Sequence, residues 1–159
     1  MSTNKIVLLI IFQFVFVLTY CQPVFDSSLN YHIEKIKEEK FDSIGNLYPV
    51  PKFIGKYLKK TCGNGFKIIT REDYLLQLRT GHREIAHKVL ESCFKSLDYY
   101  LISYTIQSDP YSTRCLLICR YGKNGVDNLY LIKNIFFRSI GDLISKLETK
   151  KFETTSLCN

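Results

Sequence analysis

The chain is 159 residues long and contains one alanine (Ala86), four prolines and eight glycines. So little Pro and Gly excludes a collagen-like or low-complexity chain. No Asn-x-Ser/Thr triplet occurs, so no N-linked glycan is expected. There is no C-x-x-C pair, the spacing from which most small zinc sites are built, so no metal is expected. A G-x-S-x-G nucleophile elbow, a Walker motif and a dinucleotide fingerprint are all missing. Gly63 and Gly65, and Gly122 and Gly125, read as turn glycines. No apolar run reaches the roughly 20 residues that span a bilayer.

What is present is apolar and aromatic. Hydrophobic residues make up 46% of the chain, with 11 Phe and 11 Tyr, which excludes disorder. The length suits one folded domain. Net charge is +7, from 22 Lys and Arg against 15 Asp and Glu. Sixteen of those cations are Lys and six are Arg, a bias that fits AT-rich coding and explains part of the charge.

The first 21 residues predict a secretory signal peptide. Lys5 precedes an apolar run from Ile6 to Leu18, broken only by Gln13, and Thr19 and Cys21 form a small-residue exit. Cleavage before Gln22 would leave 138 residues with a net charge of +6 and no transmembrane segment. The expected organisation is a leader at 1–21, an arm, exposed helix and connector at 22–51, and a single α+β domain at 52–159.

Six cysteines follow from that address: Cys21, Cys62, Cys93, Cys115, Cys119 and Cys158. Secreted cysteines oxidise, so the five beyond the leader are disulfide candidates. Five is odd, which predicts one leftover thiol or a dimer bridged through it. Cys115 and Cys119 lie four apart in a predicted strand, about 13 Å along it. They should therefore not pair with each other.

Patterning predicts the elements. Tyr31 to Phe41 reads as a mostly exposed helix and Lys52 to Lys60 as a basic amphipathic one. Thr70 begins a capping box for a helix ending near Arg79. The stripe Ile85, Ala86, Val89, Leu90, Cys93, Phe94 and Leu97 predicts a helix over 82–97. Tyr99–Gln107, Arg114–Tyr121 and Asn128–Phe137 predict three antiparallel strands joined by turns. Ser139 to Asp142 repeats the capping logic for a C-terminal helix. The expected fold is α+β, with helices on one face of a three-stranded antiparallel meander, stabilised by disulfides.

No catalytic constellation stands out. His82 and His87 fall on different faces of the predicted helix, and His32, His82 and His87 read as solvated surface residues. No catalytic residue, metal or cofactor is expected, and nucleic acid is not an expected partner for a secreted chain. Two sets of residues suggest binding. Lys56, Tyr57, Lys59 and Lys60 interleave cations with an aromatic ring, a pattern that attracts anionic surfaces. Tyr100, Tyr104, Tyr121 and Tyr130 lie in the predicted sheet, and Tyr is favoured at protein interfaces. The reading that follows is a secreted, disulfide-stabilised, non-enzymatic protein that binds another protein or a small ligand outside the cell through its tyrosine-bearing sheet. The first alternative is a cationic, toxin-like or defensive effector of anionic membranes or glycans. A small secreted hydrolase or nuclease comes last.

Overall fold

The strands set the architecture. In the computed structural model, residues 27–45, 50–81, 87–108, 111–149, 153–155 and 157–158 are described. The leader with Cys21, residues 22–26 and His82 lie outside them. The chain divides into two units, 1–31 and 32–159. In the first, the described part is the opening turn of helix α1 (Ser27–Glu38).

In the second unit the elements run β1 (Asp42–Ser43), α2 (Lys52–Cys62), β2 (Ile68–Ile69), α3 (Arg71–Arg79) and β3 (His87–Lys95). They continue as β4 (Tyr99–Ser108), β5 (Tyr111–Gly122), β6 (Gly125–Lys133), α4 (Ile140–Glu148) and β7 (Glu153–Thr155). All seven strands form one sheet in the order β1-β3-β4-β5-β6-β7, and the short β2 also pairs with β3. Every pairing is antiparallel except β2 with β3.

This corrects the expected fold. The sheet has seven strands rather than three, and helices cover both of its faces rather than one. Strand periodicity of two assigns alternate residues to opposite faces. On one face, Tyr100, Ile102, Tyr104, Cys115, Leu117, Cys119 and Leu131 join a buried cluster with Ile54 and Leu58 of α2. On the other, Leu101, Leu116, Ile118 and Ile132 are fully buried. There His32 of α1 meets Tyr99, with Nδ1 2.8 Å from the hydroxyl. The Lys37 ammonium lies 3.6 Å from the Glu148 carboxylate, which sets α4 beside α1.

The helix expected over 82–97 is the largest error: Ile85 and Ala86 lie outside the described residues, and His87–Lys95 is strand β3. A bulge explains it. The β3–β4 register shifts between Leu90 and Ser92, so Glu91 is an extra residue. Val89 and Phe94 pair with Thr105 and Leu101 on the α1 side, and Leu90 and Cys93 pair with Tyr104 and Ile102 on the α2 side. A strand buried on both faces and interrupted by two polar residues thus places apolar groups at 89, 90, 93 and 94. That spacing imitates a helical stripe.

Two capping predictions match the coordinates. Thr70 Oγ1 accepts from the Asp73 amide at 3.1 Å, and Ser139 Oγ accepts from the Asp142 amide at 3.2 Å. The helix read as mostly exposed buries His32, Ile33 and Ile36. Cys62 and Cys158 form a disulfide with Cα atoms 5.0 Å apart, linking the end of α2 to the chain's last turn. Cys93, Cys115 and Cys119 are free and buried, contrary to full oxidation. All three sit on the α2-covered face. The cross-strand partners of Cys115 and Cys119 on β4 are Tyr104 and Tyr100, so no second thiol stands opposite them there.

Candidate functional site

Helix α2 is amphipathic because Ile54 and Leu58 are spaced one turn apart and enter the core together. That leaves Lys52, Lys56, Lys59 and Lys60 exposed. None of the four makes an ion pair among the described residues. Tyr57 is half-buried between the two sides. Unpaired lysines on one helix face sum their fields over the adjoining surface.

Beside α2 the chain turns through Asn64 and Phe66 into β2, enclosing a pocket of about 240 Å³. Its walls are Val50, Leu58, Phe66 and Ile68, and Lys59 and Lys67 stand among them. The Lys88 ammonium lies 4.7 Å from the centre of the Phe66 ring. An apolar hollow with cations on its walls is the result.

The chain passes straight from β2 into α3. Its Thr70 cap, Glu72 and Asp73 in the first turn and Arg79 in the last all favour helix locally. Local terms are needed, because no α3 residue is fully buried. Leu75, Leu76 and Leu78 are 44%, 60% and 49% exposed. Three leucines turned outward on one short helix form an apolar surface of the kind that marks interaction sites.

The sequence-predicted tyrosines divide. The Tyr100 and Tyr121 rings meet at a tilt, their centres 4.9 Å apart, and contact Phe53 of α2 at 5.8 and 5.9 Å, with the Lys95 ammonium 5.9 Å from Tyr100. The Tyr121 hydroxyl donates to the Ser96 carbonyl at 2.9 Å. Burial raises the phenol pKa of both. Tyr104 is completely buried beneath, against Phe66. Tyr130 lies on the opposite face, its ring 5.3 Å from His32. The structure therefore gathers Lys56, Tyr57, Lys59 and Lys60 with Tyr100 and Tyr121 around α2, and separates Tyr104 and Tyr130 from them.

The free thiols among the described residues are withdrawn from solvent. Burial pushes the Cys93 thiol up to about 11 and the Cys119 thiol up to about 12, and it raises Cys115 as well. All three are protonated at neutral pH and hence poor nucleophiles. His32, expected at the surface, is buried between Tyr99 and Tyr130, and its Nε2 lies 3.4 Å from Asn128 Nδ2. Among the described residues no three His, Cys, Asp or Glu side chains come together in a way that could hold a metal ion.

Sequence reasoning missed the α3 leucines. Arg-Glu-Asp-Tyr-Leu-Leu-Gln-Leu-Arg has a clear cap but no apolar stripe of core width. That mismatch, a well-capped helix with too little to bury, was the available signal.

No family model, no curated protein and no solved structure matches this chain.

Proposed function

We propose that the protein is a secreted, non-enzymatic binding protein that engages an extracellular protein through the α2–α3 surface. The observation that carries this reading is α3. A helix that buries none of its residues and exposes Leu75, Leu76 and Leu78 adds little to the core, and it follows directly on the lysine-walled pocket. Apolar surface beside unpaired cations suits a partner that offers an apolar patch rimmed by acidic residues. Secretion is supported by the charged, apolar, small-residue start of the chain and by the Cys62–Cys158 bridge, since disulfides persist in oxidising compartments.

Surface plasmon resonance against fractionated extracellular proteins tests it, using three forms: unaltered, Leu76→Glu, and Lys56→Gln with Lys59→Gln and Lys60→Gln. The reading expects a saturable protein partner whose affinity falls about tenfold or more in both variants while their thermal midpoints stay put. A partner indifferent to both variants contradicts it.

A second reading rests on the four exposed α2 lysines and on Phe53, which is 37% exposed at the same helix. These would suit an effector of anionic membranes or glycans. Dye release from anionic vesicles, abolished by the triple lysine variant and unaffected by Leu76→Glu, would favour it over the first.

A further inference from the structure

The α1-covered face holds a second, polar pocket of about 240 Å³, built by three local irregularities. The bulge at Glu91 is the first. Strict alternation would send Glu91 and Ser92 to opposite faces, yet both line this pocket. The second is Asn134, at φ 59°, a backbone region in which Asn is one of the few comfortable residues. Its amide donates to the Arg114 carbonyl at 2.8 Å, and the turn folds Ile135–Arg138 back over the sheet. The third is the Ser92–Ser103 cross-strand pair, two small hydroxyl residues set opposite one another on adjacent strands.

The polar groups converge without satisfying one another. Ser103 is only 7% exposed and lines the pocket. The Arg114 guanidinium lies 4.1 Å from the centre of the Phe136 ring, and neither it nor Arg138 forms an ion pair among the described residues. The one carboxylate in the lining, Glu91, is engaged by the Thr105 hydroxyl at 3.0 Å. Lys146, 5.3 Å from the same Phe136 ring, adds a further cation, although its ammonium is 3.2 Å from Asp142. With Lys146 and Asp142 counted, three cations stand against two carboxylates, and the pocket stays positive. Phe94, Phe136 and Phe137 supply aromatic walls.

From this geometry we infer that the pocket is a binding site for a small organic carboxylate with a single-ring apolar body. Arg114 presents a planar fork matched to a carboxylate and is held in place by stacking on Phe136. The Ser103 and Ser92 hydroxyls donate to the same carboxylate, and the three phenylalanines take the ring. The volume lies below the roughly 300–1,000 Å³ of pockets for drug-sized ligands, which sets the occupant at fragment size. This site is separate from the α2–α3 surface and stands or falls independently of it.

An NMR titration of the full isotope-labelled chain with benzoate, acetate and inorganic phosphate tests the proposal. Benzoate should give saturable shifts at the amides of Ser92, Ser103, Phe136 and Arg138, and acetate should bind several-fold more weakly for want of a ring. Arg114→Gln should weaken benzoate about tenfold or more, and Ser103→Ala by a smaller factor. If Arg114→Gln loses the dispersion of a folded spectrum, Arg138→Gln takes its place with the same expectation. No saturable shift at these amides overturns the site. Undiminished affinity in a folded arginine variant overturns the role of the guanidinium. Phosphate binding as tightly as benzoate overturns the organic carboxylate as the ligand.

Discussion

The two faces of one sheet handle buried polar groups in opposite ways. Under α2, the buried cluster holds three thiols and the Tyr100 and Tyr104 phenols. Each is desolvated, and the Tyr104 hydroxyl has no hydrogen-bond partner among the described residues, with only the Cys115 thiol beside it. Under α1 and α4, two buried side chains, His32 and Thr105, have specific partners. His32 bonds to Tyr99, and Thr105 donates to Glu91. Adjacent residues of the same strands feed both layers, so backbone geometry is common to them. The difference teaches that one face is held by apolar burial with weakly polar sulfur filling space, whereas the other depends on specific partners.

The comparison can be broken most severely at the Cys62–Cys158 bridge, which ties α2 to the chain's end across 96 residues of sequence. Loop-closure entropy assigns a bridge of that span about 4–5 kcal/mol. Reduction, or Cys158→Ser, should lower unfolding free energy by up to that amount in urea titrations. Hydrogen exchange should quicken first in α2. Equal loosening of α1 would remove the distinction between the layers.

Comparable in size is the response to alkali. An unfolded thiol ionises near its ordinary value of 9, whereas folded Cys93 holds its proton to about 11 and Cys119 to about 12. Between those values the unfolded chain has released protons that the folded chain keeps, so raising pH favours unfolding. Each thiol should contribute a slope of about 1.4 kcal/mol per pH unit within its own window. Thermal midpoints measured from pH 8 to 11 should therefore fall above pH 9. Cys93→Ala with Cys119→Ala should flatten most of that fall. A flat profile in the unaltered protein would mean that the α2 face is not dry.

The smallest effect is expected at α3. Leu75→Glu or Leu76→Glu should change stability by no more than about 0.5 kcal/mol, since neither side chain is in the core. A large loss would show the helix to be part of the fold rather than a surface offered to a partner.

Legibility in the sequence followed the same division between local and non-local causes. Both capped helix starts were readable because Thr70 and Ser139 act on amides three residues away. β3 was not, because its bulge is defined only against β4, and without it the 89–94 pattern reads as a helix. The burial of His32 depends on Tyr99, 67 positions distant, and the pairing of Cys62 with Cys158 on 96. Of the candidate binding residues, the α2 lysines were visible as an amphipathic face. The tyrosines were not separable into buried and surface members, since residues 100, 104 and 130 share a strand-parity pattern whose faces only the assembled sheet assigns.

The most direct measurement is a pair of urea titrations at neutral pH, on Tyr99→Phe and Tyr104→Phe. Each variant loses one buried hydroxyl and keeps its ring. Tyr99→Phe strips His32 Nδ1 of its 2.8 Å partner and should lose about 1–3 kcal/mol. Tyr104→Phe removes a hydroxyl without a hydrogen-bond partner among the described residues and should be neutral or stabilising. Equal losses, or a larger loss at Tyr104, would contradict the account of one satisfied face and one merely desolvated face.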